Sequence, residues 1–306
     1  MPTMMQIFAE ELQNAGRQNP NIVALSADVS GSTGLKPFAE EFPDRYYEMG
    51  VSEQNMISTA AGLALEGKTA VASSYACFSP GRSWEQIRNT VCLEKADVKI
   101  IGAHIGAGSG RNGATHQSFE DIALMTCLPE MTVFSPATQT EVRLCAREIL
   151  NNRRPSYLRL SARLCPEPAQ YRPDIHGLSR LRPGTDFAVV GTGSLLEKAL
   201  QAAELFEQTR GLSAGVFSLA CLSPLNKDSL APLRRFKGVL CVEEHQINGG
   251  LSSLLAPLFA ADPSMPPFER VGVNLKFGAS MDSEDLYDFL ELSEQHIFNK
   301  LNQLAA

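Results

Sequence analysis

A chain of 306 residues, 44% hydrophobic and 20% charged, is long enough for two cored domains and ordinary in composition for a globular protein. Its net charge of -7 argues against nucleic acid as a partner, and no apolar run of spanning length or basic-then-apolar start points to a membrane or a secretory leader. The seven cysteines (Cys77, Cys92, Cys127, Cys145, Cys165, Cys221, Cys241) are odd in number, scattered and without a CxxC, which argues against a disulfide framework or zinc site and fits a reduced, cytoplasmic compartment.

In chain order, Ile7, Phe8 and Leu12 predict a helix over residues 5–15, and a buried strand follows over 21–26. That strand runs into Asp28-Val29-Ser30-Gly31-Ser32-Thr33-Gly34. Polar loops at the carboxyl ends of parallel strands are where open sheets bind ligands, although the same residue types also make ordinary turns. Tyr46-Tyr47-Glu48 reads as a short strand, and Gly50 lets the chain turn sharply out of it. Val51, Met56, Ile57 and the small residues of 60–64 then repeat at helical spacing, so a helix starts near Ser52. Glu53 falls in its first turn, where the helix dipole favours a carboxylate. Taken alone, Glu53 reads either as a solvated terminal charge or as a half-buried carboxylate held against a ligand.

A strand over 69–74 leads into Tyr75-Ala76-Cys77-Phe78-Ser79-Pro80-Gly81-Arg82 and a helix over 84–89. A strand over 99–103 opens into a glycine-rich loop from His104 to Gly113, which closes at Ala114-Thr115-His116-Gln117 before a helix over 119–125. Strands over 131–134 and 156–160 flank a helix over 140–151. This alternation predicts an α/β protein of two doubly wound domains with mainly parallel sheets: 1–168, a proline-rich linker at 169–184, and 185–306. In the second domain we expect strands over 187–190, 214–217 and 238–242, a helix over 195–208, and a glycine-started helix near 249–251. Glu243-Glu244-His245, just after the last of those strands, reads as structural.

Asp28, Ser32, Glu53, Tyr75, Phe78, His104 and His116 all follow consecutive strands of the first domain, so a parallel sheet would bring them to one crevice. Each has a plainer reading: histidines in glycine loops are often satisfied hydrogen-bonding groups, and Tyr75 and Phe78 suit a core. The glycines of 106–110 match neither GxxxxGK[ST] nor GxGxxG, and Ser109 and Ser161 lack an acid–base partner at triad spacing.

Together, the runs GVSEQNM, SYACFSPGRSWEQIRN, the H(x)11H spacing closed by GATHQSFEDIALM, and EEHQINGGL resemble the transketolase family over nearly the whole chain. The order is that of a pyrimidine-binding domain followed by the transketolase C-terminal domain, as in the C-terminal subunit of split transketolases. The resemblance implies a transferase that moves a two-carbon ketol unit from a ketose to an aldose, with thiamine diphosphate as cofactor. It implies that Glu53 hydrogen-bonds N1′ of the aminopyrimidine and favours the imino form, whose nitrogen removes the thiazolium C2 proton. Phe78 matches the ring that stacks on the pyrimidine, Tyr75 a neighbouring wall, and Arg82 a cofactor contact. His104 and His116 match catalytic histidines that meet the sugar's oxygens, and Ser32 a substrate-contacting serine.

Three departures bear on the substrate. Asn112 stands where family members carry an aspartate, and the two arginines that grip the sugar phosphate align with Met5 and Ala162. Arg111 and Arg163 are the nearby cations that could hold an anion differently, so a non-standard sugar is expected. The GDG…N motif that holds the divalent metal is absent here. We therefore expect no metal ligand in this chain and an N-terminal partner subunit that carries that motif and Mg²⁺ or Ca²⁺. Activity only in the pair, self-association through the pyrimidine domain and a heterotetramer follow from the same resemblance. The alternatives are a 2-oxo acid dehydrogenase β subunit, a deoxyxylulose-phosphate synthase-like fragment, and a non-catalytic scaffold or regulatory subunit.

Overall fold

Helix α1 (Met4–Gln18) starts on a reciprocal cap, in which Thr3 Oγ1 accepts from the Gln6 N–H and the Gln6 side-chain oxygen accepts from the Thr3 N–H. It begins the computed structural model of the protein, which describes residues 2–306. The first unit contains β1 (Ile22–Ser26), α2 (Lys36–Glu41), β2 (Tyr46–Glu48), α3 (Glu53–Leu65), β3 (Thr69–Tyr75), α4 (Trp84–Gln86) and β4 (Val98–Ala103). It continues through α5 (Asp121–Thr126), β5 (Thr132–Phe134), α6 (Gln139–Asn151) and β6 (Ser156–Leu160).

The strands β1, β3, β4 and β6 are buried almost throughout because helices cover both faces of their sheet. Alternate residues divide between the two layers. Ile22 and Ala24 pack with α1 and α6, whereas Val23 and Leu25 pack with the Met56–Ala64 face of α3. Val51 does not join that face: it lies before the helix and is 71% exposed, because Gly50 (φ +64) turns the chain and α3 starts at Glu53. The expected helix over 84–89 is a single α-turn that widens into a π-helical turn at Ile87–Cys92.

The second unit comprises β7 (Leu178–Arg182), β8 (Phe187–Gly191), α7 (Leu196–Arg210), β9 (Ala214–Leu219), β10 (Cys221–Ser223) and β11 (Gly238–Gln246). It ends with α8 (Leu251–Ala261), β12 (Phe268–Val273), α9 (Ser283–Phe289) and α10 (Glu294–Leu304). Its sheet runs β12-β11-β8-β9-β7, with only β7 antiparallel to its neighbour. β7 lies inside the segment expected to be linker; it buries only Ser179 and Leu181 and alternates with charge, as edge strands do.

The two units share a sheet. Strand β10 leaves the second unit and pairs antiparallel with β5, giving the seven-stranded order β10-β5-β6-β4-β3-β1-β2. The seam between units is therefore backbone-bonded as well as packed. Strand β11 also runs four residues beyond its expected end, so Glu243, Glu244 and His245 are fully buried strand residues rather than a loop.

Candidate active site

Five of the sequence-predicted groups meet at the carboxyl ends of β1, β3 and β4 and the start of α3. Glu53, the first residue of α3, is 2% exposed. Arg82 Nη1 reaches its Oε2 at 2.6 Å, and the same guanidinium lies 5.2 Å from the Phe78 ring centre. Among the described residues no donor engages Glu53 Oε1. A carboxylate removed from water with one oxygen still open is poised for a ligand N–H.

Tyr75 ends β3, and Phe78 sits three residues on in the turn that follows. Their rings are nearly parallel, 6.1 Å apart and inclined by 16°. Both imidazoles join them: His104 lies 4.5 Å from Tyr75, and His116 lies edge-on at 5.3 Å from Phe78 and 5.9 Å from Tyr75. His104 sits at φ +54 directly after β4, and its Nε2 is 3.0 Å from the carbonyl oxygen of Ser32. A carbonyl only accepts, so Nε2 carries the proton and Nδ1 keeps its lone pair. Burial lowers the His104 pKa, and the Ser32 carbonyl offsets this only in part, so the ring is neutral at pH 7. His116 Nδ1 lies 3.0 Å from Thr115 Oγ1. Cys77 is no nucleophile here, since burial pushes its thiol up to about 11.

Other sequence-predicted residues stand apart from this cluster. Ser32 approaches it through its backbone, while its hydroxyl donates to Val29 O at 3.1 Å. Asn112 is exposed on the 3-10 turn Gly106–Asn112. Arg111 is engaged by Asp282 through two bonds of 2.7 and 3.0 Å on an exposed surface. Arg163 is engaged by Glu284 at 2.5 Å, with Glu197 at 3.8 Å. Both arginines, expected as nearby cations for an anion, pair with carboxylates of the second unit in this structure. Sequence spacing misleads here because their partners are remote in the chain and meet them only on folding.

Sequence reasoning also passed over a charged seam behind the cluster. Arg159 and Asp121 are fully buried and joined at 2.7 and 3.2 Å, and Tyr157 donates to Asp121 at 2.8 Å. Burial would raise the Asp121 pKa, but the charge and hydrogen bonds of Arg159 hold it below its ordinary value. Glu244 completes the seam from β11. The available signal was three ionisable residues continuing an apolar strand, a pattern that demands buried partners. Among the described residues no cluster of three or more His, Cys, Asp or Glu could hold a metal ion, and no helix is long and apolar enough to cross a membrane.

Residues 1–168 match the transketolase pyrimidine binding domain, and residues 177–297 match the transketolase C-terminal domain. The chain belongs to the transketolase family. A protein of Methanocaldococcus jannaschii named as a transketolase C-terminal section is 35% identical over 97% of this chain and 95% of its own length. One subunit of an apulose-4-phosphate transketolase from Actinobacillus succinogenes is 32% identical over 88% of each chain. The solved structure of a split-gene transketolase, in an inactive beta4 tetramer, matches 99% of this chain and 98% of its own at 34% identity, with a TM-score of 0.89. Because these relatives are split subunits matched nearly end to end, the chain is a C-terminal transketolase subunit. Its activity is the two-carbon ketol transfer of a transketolase, exerted with an N-terminal partner subunit. The family's cofactor is thiamine diphosphate.

Proposed function

We propose that Glu53, Phe78, Tyr75 and Arg82 hold the aminopyrimidine end of thiamine diphosphate, and that His104, His116 and Ser32 receive the sugar. The observation that carries this reading is the open Oε1 of a 2%-exposed Glu53 next to the half-buried Phe78 ring. Bound thiamine diphosphate supplies a carbon nucleophile and an electron sink. Glu53 holds a ring-nitrogen proton at Oε1, and Arg82 keeps the carboxyl group aimed from Oε2. Phe78 and Tyr75 exclude water, which strengthens the Glu53 contact. His104 accepts a hydroxyl proton at Nδ1 while Ser32 fixes its opposite edge, and His116 offers Nε2 to a second oxygen.

The diphosphate and its Mg²⁺ or Ca²⁺ belong, on this reading, to the partner subunit with the GDG…N motif, in a cytoplasmic heterotetramer whose pyrimidine domains self-associate. A cleft of about 410 Å³ lies beside Ser32, lined by Thr3, Met5, Gln6 and Lys36 among others. Among the described residues Lys36 is the one cation lining it and lies 3.8 Å from Glu40, a carboxylate of the same lining, and a buried Met5 stands where the resemblance expects an arginine. A lysine beside a carboxylate in place of forked arginines supports a sugar other than the usual pentose phosphates. Calorimetric titration of thiamine diphosphate with Mg²⁺ should show tight binding only when the partner subunit is present. Steady-state assays of that pair in which pentose phosphates proved the best substrates would overturn the substrate assignment.

A further inference from the structure

Behind the imidazoles, the loop from His104 to His116 has little stiffness of its own. Four of the eight residues in 106–113 are glycine, and Gly106, Gly110 and Gly113 adopt positive φ. The second unit holds it near Arg111, where Ser280 Oγ donates to the carbonyl at 2.6 Å and Asp282 pairs with the side chain, and deeper in at Ala107. The N–H of Ala107 donates to Glu244 Oε1 at 2.7 Å, and Ser283 Oγ donates to its carbonyl at 3.2 Å. A Cβ on Gly106 would overlap the Glu244 carboxyl, so backbone and carboxylate are in close contact. Two residues further, Ser109 Oγ lies 3.0 Å from the carbonyl of His104 and 2.7 Å from that of His116, tying both ends of the loop together.

Glu244 is itself surrounded by donors. Tyr287 Oη donates to Oε1 at 3.1 Å and Ser194 Oγ to Oε2 at 2.8 Å. Arg159 Nη2 donates to the Glu244 carbonyl at 2.7 Å while Asp121 fixes the same guanidinium. Burial raises the Glu244 pKa, opposed by Arg159 and by the Ala107, Ser194 and Tyr287 donors. A buried ionisable group of this kind contributes little net stability compared with an apolar side chain of the same volume. What it supplies here is direction, because three donors converge on one carboxylate and one of them is the backbone of the histidine loop.

We propose that Glu244 is a positioning residue: from the C-terminal domain it holds the loop that carries His104 and His116 and so sets the aim of the sugar-binding imidazoles. This rests on the role proposed above for those two histidines. Glu244 touches neither the cluster nor a substrate; it acts through Ala107 and Ser109.

The test uses the full chain, alone and assembled with its N-terminal partner, in the variants Glu244→Gln and Tyr287→Phe with Ser194→Ala. In the chain alone, the imidazole NMR signals of His104 and His116 should shift while those of His176 and His296 stay in place. In the assembled pair, sugar KM should rise and kcat/KM fall by roughly 10²-fold for Glu244→Gln, as for a small misplacement of reacting groups. Thiamine diphosphate affinity should hold, since Glu53 and Phe78 lie off the loop. A folded Glu244→Gln with unmoved His104 and His116 signals and an unchanged sugar KM would overturn the proposal. If Glu244→Gln does not fold, the Tyr287/Ser194 variant carries the same expectation and the same refutation. A wild-type pair without ketol transfer would sink the substrate-site reading instead, while the imidazole shifts would still decide whether Glu244 positions the loop.

Discussion

The strand-end cluster and the seam behind it use similar residue types in opposite ways. At the cluster, Glu53 has one paired oxygen and one open, and two imidazoles face aromatic rings with ring nitrogens to spare. In the seam, Asp121, Arg159 and Glu244 are fully buried and bonded to one another or to neutral donors, with Arg159 Nη1 left without a partner. Both arrangements sit at the ends of buried strands, so burial alone does not mark a functional group. Spare hydrogen-bonding capacity gathered among ionisable and aromatic side chains at one crevice is the better mark, since single buried atoms without a partner, such as Ser135 Oγ and Arg159 Nη1, occur elsewhere in the chain.

Substitutions test this contrast, beginning with the largest expected effect. Glu53→Gln should lower activity of the assembled pair by about 10²–10⁴-fold, the range for loss of an acid–base group, while the melting temperature barely moves. Full activity in that variant would refute the cofactor assignment. On the seam the pattern should invert. Arg159→Met leaves Asp121 buried and unpaired, and denaturant unfolding should show a loss of about 3–5 kcal/mol. Arg159→Met combined with Asp121→Leu should recover most of that loss; a further loss in the double variant would contradict the pairing account.

Two smaller effects depend on pH. Burial pushes the Glu243 carboxyl up to about 7, with the Ser252 bonds opposing it. The folded state then binds this proton more tightly than the unfolded state, so stability is present below about pH 4.5 and is lost as pH rises through 7. The loss is on the order of 3 kcal/mol, and Glu243→Gln should remove it from a plot of unfolding free energy against pH. An identical slope in that variant would show that other groups cause it. His104 has the opposite sign: its lowered folded pKa makes acidification below about 6.5 destabilising, and His104→Asn should flatten that limb. The smallest effect expected is at Arg111→Ala. Its exposed pairing with Asp282 is screened by solvent, so melting and sugar KM should both stay at wild-type values. A raised KM there would restore Arg111 as a substrate contact.

Much of the fold was legible because its helices and central strands carry strong periodic or continuous apolar patterns. β6 falls on the expected residues, and β1, β3, β4 and α6 fall within a residue or so of expectation. The edge strands β7 and β10 and the terminal helices α9 and α10 escaped notice because short, half-polar segments owe their structure to the neighbours they meet. The same holds at the site. Glu53, Tyr75, Phe78, His104 and His116 were visible because each follows a strand of one parallel sheet, where chain order dictates spatial convergence. The carboxylate partners of Arg111 and Arg163 were not legible, because a cation's partner is a matter of tertiary distance, not of spacing.

What the sequence determined by itself is therefore the alternation of buried strands and amphipathic helices, and with it the edge of the sheet at which chemistry collects. Local spacing is enough for that, since period and strand-end position are properties of consecutive residues. Only the tertiary structure decided which charges stay open and which are closed. Asp121 and Arg159 meet within the first unit, whereas Arg159 reaches the Glu244 carbonyl, and Ala107 the Glu244 carboxylate, only once the two units pack together across a shared sheet.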